Sequence, residues 1–161
     1  MTFDLERRRY ADTSAARVSN VASEDPTVIR VLAVTTDDIV SAIESNERRD
    51  SGAVLRVTPP FSGRMRARLH LDGTEREYGD PSPIHIAPDR LVASVPPFPN
   101  PDDTEDEIRS DPTLTYSRDI HRERHELAVD AWRNRLRDLL VDRATIETPA
   151  GPHDVRIATL G

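Results

Sequence analysis

The first half of the chain alternates short apolar runs with polar segments rich in turn residues. Residues 28–34 are short, apolar and mostly β-branched, which predicts a largely buried strand. Thr35 and Asp38 then stand at capping-box spacing ahead of apolar residues that share one helical face. The pattern therefore predicts a strand followed directly by a short helix that runs to about Asn46.

Two further apolar runs lie on either side of a proline turn. Residues 53–57 are predicted to form a strand that ends at Pro59-Pro60, because proline lacks the amide donor that strand pairing needs. Residues 64–71 alternate polar and apolar side chains, which is the pattern of a half-buried antiparallel strand. A polar loop from Asp72 to about Pro83 and a short strand at residues 84–86 are expected to follow.

The second half of the chain begins with a proline-rich and acidic stretch. Seven of the thirteen prolines lie between residues 81 and 101, which predicts an extended, poorly packed linker at about residues 95–112. Residues 117–141 keep their apolar side chains on one face without proline or glycine, so one long amphipathic helix is predicted. Residues 145–158 contain a Pro-Ala-Gly-Pro turn between two apolar runs and are predicted to form a terminal hairpin.

This order of elements predicts an α+β fold. A small, mainly antiparallel sheet is expected to carry one short helix, the long C-terminal amphipathic helix packed on one face, and the terminal β-hairpin. Residues 1–26 have few apolar side chains and are predicted to be a flexible tail. Residues 27–161 are then expected to form a single domain.

Composition narrows the classes of function. The 161 residues include no cysteine, which excludes disulfides, thiolate metal sites and a cysteine nucleophile. All 22 cationic residues are arginine, so a Schiff-base lysine and a Walker-type phosphate loop are also excluded. The net charge of −7 opposes binding to nucleic acid or anionic membranes except through a segregated basic patch. No motif predicts a cofactor.

The strand predicted at residues 64–71 is such a basic patch. Residues 53–71 hold four arginines and no acidic residue, and a period of two places alternate side chains of the strand on one face. A basic strand of this kind can contact successive phosphates of RNA or DNA, and an aromatic residue at the preceding turn is available to stack on a base. The predicted nucleic-acid-binding residues are Arg56, Phe61, Arg64, Arg66, Arg68 and His70. The alternative is an exposed strand whose arginines pair with acidic residues of neighbouring strands or of the stretch 102–107.

Two histidines one helical turn apart form a second candidate. His121 and His125 fall on the apolar side of the long helix, at a spacing that allows two imidazoles to chelate one divalent metal. No motif supplies the remaining ligands, and arginine rather than glutamate follows the first histidine, unlike the metalloprotease pattern. Packed or solvated histidines are therefore the alternative to a metal-dependent enzyme.

The apolar face of the long helix offers a third candidate. Trp132, Leu136 and Leu139 are expected either to pack on the sheet or to form a dimer or partner interface. A protein–protein interaction or homodimerisation module is thus the alternative to the leading hypothesis, which is a non-enzymatic module that binds nucleic acid or another polyanion.

A short stretch that begins at the end of the second predicted strand resembles known sequences. The sequence RVTPPFSGRMR at residues 56–66 is similar to small haloarchaeal proteins of unknown function, and the lysine-free acidic composition resembles that of proteins from salt-accumulating archaea. The resemblance implies no assigned activity. The first six residues carry charges where a signal peptide is apolar, and no apolar run approaches the roughly 18 residues that span a bilayer, so a cytoplasmic protein without membrane contact is expected.

Overall fold

The structure is a computed structural model that describes residues 23–71 and 82–161. These residues form three α-helices and seven β-strands, which confirms the predicted α+β class and the terminal hairpin. In chain order the elements are β1 (Val31–Thr35), α1 (Thr36–Arg49), β2 (Ala53–Val57), β3 (Arg64–Arg66), β4 (Arg68–Leu71), β5 (Ile84–Ile86), α2 (Pro101–Ser110), α3 (Arg118–Asp138), β6 (Arg143–Thr148) and β7 (Gly151–Leu160). No helix within these residues is both long and apolar enough to cross a membrane.

The strand and helix expected at residues 28–46 are β1 and α1. The hydroxyl oxygen of Thr35 accepts a hydrogen bond from the amide of Asp38 at 3.1 Å, so the predicted N-cap is confirmed. The helix continues to Arg49 and stops where Asp50 adopts a left-handed backbone with φ of 48°.

The strands form two sheets, whereas the sequence predicted one. The larger sheet has the order β3-β1-β7-β6, in which β1 is parallel to both β3 and β7, and β7 is antiparallel to β6. The smaller sheet has three antiparallel strands in the order β4-β2-β5. Helix α1 contacts β1 of the larger sheet and both β2 and β4 of the smaller one.

The strand predicted at residues 64–71 is divided between these sheets. β3 pairs with β1, and β4 pairs with β2, so the chain changes sheets at Ala67. Ala67 is fully buried, and its amide donates to the carbonyl of Ala33 at 3.0 Å. The small side chain lets the backbone pass through the core at this point. The prediction of a single continuous strand was therefore wrong.

Apolar side chains from both sheets and from α1 and α3 form one core. The cluster includes Leu32 and Val34 of β1, Ile39 and Ile43 of α1, Leu55 and Val57 of β2, Trp132 and Leu136 of α3, and Ile146, Val155 and Ile157 of the hairpin. The helices cover the inner face of the larger sheet through this cluster. The opposite, outer face carries the exposed side chains of Arg64, Arg66, Arg143 and Arg156.

The stretch assigned to a linker at about residues 95–112 contains helix α2. Thr104 and Ile108, one helical turn apart, are buried, and the side chain of Asn100 caps the helix by accepting from the amide of Asp102 at 2.9 Å. The acidic residues of the first turn suit the positive end of the helix dipole, so they favour a helix start here rather than a solvated linker. The prediction of an extended, poorly packed linker is therefore wrong for the residues of α2.

The proline-rich segment before α2 is extended but held against the core. The amide of Ala93 donates to the carbonyl of Leu139 at 2.8 Å, and the indole N–H of Trp132 donates to the carbonyl of Pro96 at 2.9 Å. Phe98 packs edge-on against the same indole, with ring centroids 4.9 Å apart. The predicted flexible tail at residues 1–26 and the polar loop at residues 72–83 lie mostly outside the described residues.

Candidate functional site

The arginines predicted to share one strand face lie on two different sheets. Arg64 and Arg66 belong to β3 at the edge of the larger sheet, whereas Arg68 and His70 belong to β4 of the smaller one. The change of sheet at Ala67 separates the two groups. The predicted nucleic-acid-binding residues are therefore divided between the two sheets.

Arg64 and Arg66 are joined on the outer face of the larger sheet by two arginines that the sequence analysis did not single out. Val31 of β1 is in register with Arg64 on one side and with Arg156 on the other, and Arg156 is in register with Arg143 of β6. Side chains at paired positions project from the same face of a sheet, so this row carries three arginines. We call Arg64, Arg66, Arg143 and Arg156 the arginine face; all four are exposed.

Two members of the arginine face lie directly opposite each other. The amide of Ile157 donates to the carbonyl of Asp142 at 2.8 Å, so the neighbouring pair of Arg143 and Arg156 is a non-hydrogen-bonded pair. Side chains approach most closely at such pairs, and like charges placed there destabilise the sheet. The same geometry brings Thr145 and Asp154 close enough for a 2.6 Å hydrogen bond two pairs further along, on the same face.

The ion pairs between described residues lie away from the arginine face. Within the described residues, no carboxylate lies within ion-pair distance of a guanidinium of the arginine face. Six other arginines do have acidic partners: Arg48, Arg90, Arg109, Arg122, Arg133 and Arg137. Two acidic residues of the hairpin have other partners: Asp154 is bonded to Thr145, and Glu147 lies 3.7 Å from Arg90.

The remaining basic residues of the prediction meet on the smaller sheet. Arg56 of β2 is in register with Arg68 on β4 and with His85 on β5, and His70 is in register with Val54 two residues along. The His70 and His85 rings stack with centroids 5.7 Å apart. Arg68 is exposed, whereas Arg56 and His70 are partly buried. This group lies on the smaller sheet and is more enclosed than the arginine face.

Phe61 is unavailable for base stacking. Its side chain is only 1% exposed and belongs to the core cluster, and its backbone pairs with Ser23 through two hydrogen bonds of 2.6 Å. The sequence places this ring at a turn from which it was expected to be available to stack on a base, but the turn folds back onto the core. The prediction that Phe61 stacks on a base is therefore wrong.

His121 and His125 join α3 to α2. The Nε2 atom of His121 lies 2.9 Å from the carbonyl oxygen of Pro101, and Nδ1 of His125 lies 3.1 Å from the hydroxyl of Thr104. The two rings are nearly parallel with centroids 6.0 Å apart. The pKa of His125 is lowered, because burial and the positive charges of His121 and Arg48 disfavour a further proton. No group of three or more metal-ligating side chains occurs among the described residues, and each histidine has a partner on α2.

The proposed interface residues of the long helix lie inside the protein. Trp132 is 2% exposed and Leu136 is fully buried, while Leu139 is partly buried against the core. They pack within the chain, which was the first of the two roles expected for this face. Trp132 and Leu136 are thus core residues, and they present no surface to a partner.

Only part of the arginine face carried a signal in the sequence. A two-residue turn at Pro149 and Ala150 pairs Thr148 with Gly151, and counting back from it places Arg143 opposite Arg156. The pairing of β1 with β3 and β7 is non-local and parallel, and no local pattern encodes it.

The fold and the surface define a small α+β domain with a cationic sheet face. The chain belongs to the family described as a domain of unknown function, DUF8009, whose model matches residues 19–161. No match was found among curated proteins or solved structures.

Proposed function

We propose that this domain is a non-enzymatic module that binds the phosphate backbone of nucleic acid through the arginine face. The observation that carries the proposal is the presence of four exposed guanidinium groups, from three strands, on one side of the larger sheet. Within the described residues these groups have no acidic partner. Arginine suits phosphate because its planar donors bind two oxygens at once.

The spacing of the arginines fits an extended polyanion. Arg64 and Arg66 are two residues apart on one strand, which separates them by about 7 Å, and Arg64 lies two strand spacings, or about 10 Å, from Arg156. The positions between them are occupied by Val31, Ala33 and Ala158. These side chains are shorter than those of the arginines, so the exposed guanidinium groups are the groups of this face that a sugar–phosphate chain would contact.

The same face predicts binding without sequence specificity. Phe61 is buried, and the paired positions of the outer face carry no aromatic side chain on which a base can stack. Phosphate contacts position a protein but do not read sequence. The proposal therefore concerns backbone contact, in the cytoplasmic setting that the sequence predicts.

The test is fluorescence-anisotropy binding of labelled single-stranded RNA, single-stranded DNA and duplex DNA over a salt series. Three proteins are compared: wild type, the row variant Arg64→Gln/Arg143→Gln/Arg156→Gln, and a control with the same charge loss on the helices. The control substitutions are Arg49→Gln, Arg124→Gln and Arg135→Gln, at exposed positions of α1 and α3. Because the composition resembles that of proteins from salt-accumulating archaea, the series extends to high salt.

The proposal predicts saturable binding by wild type that weakens as salt rises. The slope of log affinity against log salt should fall in the row variant by about 2 for single strands and about 3 for duplex, since each lost phosphate contact removes about 0.7 or 0.9. The control should keep the wild-type slope. The proposal is overturned by absence of binding to all three probes at the lowest salt, or by an equal loss in the control.

A further inference from the structure

A second cationic site lies on the helical side of the protein, away from the arginine face. It is a cleft of about 740 Å³ between α3, the last turn of α1 and the first turn of α2. This volume is in the range of small-molecule binding sites. The residues that line it are Arg48, Pro101, Arg118, His121, Arg122, His125, Glu126, Val129, Asp130 and Arg133.

Some arginines of this cleft already have acidic partners, and others do not. Arg133 is fully engaged, because Glu44 binds its guanidinium through two contacts and Asp130 lies 2.7 Å away. These contacts raise the pKa of Arg133, chiefly through the hydrogen bond to Glu44. Arg48 shares Glu44 at 3.2 Å and lies over the ring of Phe98.

The other end of the cleft carries unmatched positive charge. Arg118 has no ion pair with any described residue, and the ion pair of Arg122 is a loose one of 3.9 Å to Asp119, whose side chain is 91% exposed. The two arginines are one helical turn apart, where like charges repel, and they lie in the first turns of α3, where the helix dipole also disfavours cations. An anion placed between them would relieve both effects.

The histidines fix one wall of this cleft. His121 and His125 each use one ring nitrogen on α2, at Pro101 and Thr104, and their rings are held parallel within the lining. The lining also includes the apolar side chain of Val129, which is 3% exposed. The site thus combines a cationic end, two oriented imidazoles, the apolar side chain of Val129 and two carboxylates, of which Asp130 is paired with Arg133 and Glu126 lies one turn beyond Arg122.

We infer that this cleft binds a small multivalent oxyanion, a phosphorylated or polycarboxylate compound, between Arg118 and Arg122. Planar guanidinium groups bind both kinds of oxyanion through paired hydrogen bonds, so the two are separated by experiment. The inference is independent of the proposed nucleic-acid binding, because the arginine face lies on the outer side of the sheet.

Isothermal titration with pyrophosphate and with citrate tests the inference. Wild type is compared with Arg118→Gln/Arg122→Gln and with a control on the same helix, Arg124→Gln/Arg135→Gln, whose positions lie outside the cleft lining. The row variant of the arginine face is included as well. Circular dichroism establishes that every variant is folded.

We expect one bound anion per chain for at least one probe. Affinity should fall by about tenfold or more in the Arg118/Arg122 variant, as expected for lost hydrogen bonds to a charged group, and should be unchanged in the other two variants. The imidazole NMR signals of His121 and His125 should shift on binding. Absence of binding to both probes, equal weakening in the helix control, or unmoved imidazole signals would each overturn the inference. Loss in the row variant alone would place anion binding on the arginine face instead.

Discussion

Opposed arginines on β6 and β7 should make the hairpin less stable in low salt than in high salt. Arg143 and Arg156 form a non-hydrogen-bonded pair with no acidic partner among the described residues, so their mutual repulsion is not offset by another contact. A double-mutant cycle of Arg143→Gln, Arg156→Gln and the double variant isolates this repulsion. The cycle also removes the effect of changing the net charge of an acidic protein.

The magnitude follows from the register. Paired Cα atoms at such a position are about 4.5 Å apart, and two guanidinium groups that splay apart by about 6 Å repel by about 0.7 kcal/mol in water without salt. Screening reduces this to about 0.6 kcal/mol at 0.01 M salt and about 0.3 kcal/mol at 0.15 M salt. Less than about 0.1 kcal/mol remains at 1 M salt.

Urea unfolding at low and high salt measures the free energy of unfolding of each protein, with the fluorescence of Trp132 as the probe. Each single substitution should stabilise the protein more than the same substitution does when the other arginine has already been replaced, because only the first replacement relieves the repulsion. This coupling should vanish at high salt. A coupling of the opposite sign, or one independent of salt, would show that the two guanidinium groups do not face each other. The arginine face would then lack the geometry on which nucleic-acid binding depends.

Three further substitutions test the packing around the helices. Trp132→Phe should lower the free energy of unfolding by about 2–4 kcal/mol, because it makes a core side chain smaller and leaves the buried carbonyl of Pro96 without its donor. Urea unfolding of this variant is followed by circular dichroism, because the substitution removes the only tryptophan. Ile108→Ala should cost about 2–4 kcal/mol because Ile108 is 2% exposed, whereas a change below about 0.5 kcal/mol would restore the linker assignment. As pH falls below the ordinary histidine pKa of 6.5, the His125→Gln variant should lose less stability than wild type does. Folding favours neutral His125, so its contribution is complete above that pH and decreases as the histidine is protonated; an unchanged pH profile between the two proteins would contradict this.

The elements that the sequence predicts well are those fixed by local contacts. Thr35 caps α1 and Ser117 caps α3, and each does so through its side-chain oxygen and an amide three residues ahead. The single-sided apolar pattern of residues 117–141 corresponds to α3, because proline and glycine are absent and the helix buries one face. These features depend on residues within one or two turns of each other.

The elements that the sequence does not reveal depend on partners far along the chain. The alternation of residues 64–71 is the same whether the strand stays in one sheet or changes sheets at Ala67, and only the pairing with β1 and β2 decides between them. Helix α2 buries only Thr104 and Ile108 among acidic neighbours, so its apolar signal is too sparse to distinguish it from a linker. The arginine face could not be predicted for the same reason, because its row joins three segments of the chain through non-local pairs.

The separation of charge in the fold reconciles a cationic face with a net charge of −7. The acidic first turns of α1 and α2 belong to the helical layer, which the core separates from the outer face of the larger sheet. A helix is about 10 Å thick, so carboxylates on the far side of that layer lie beyond the Debye length of about 8 Å at physiological salt. A phosphate at the arginine face therefore experiences chiefly the four guanidinium groups and the nearby Asp154. As salt falls, the acidic layer acts over a longer range and opposes the approach of a polyanion, so the observed salt dependence should be shallower at low salt than the number of arginine contacts alone predicts.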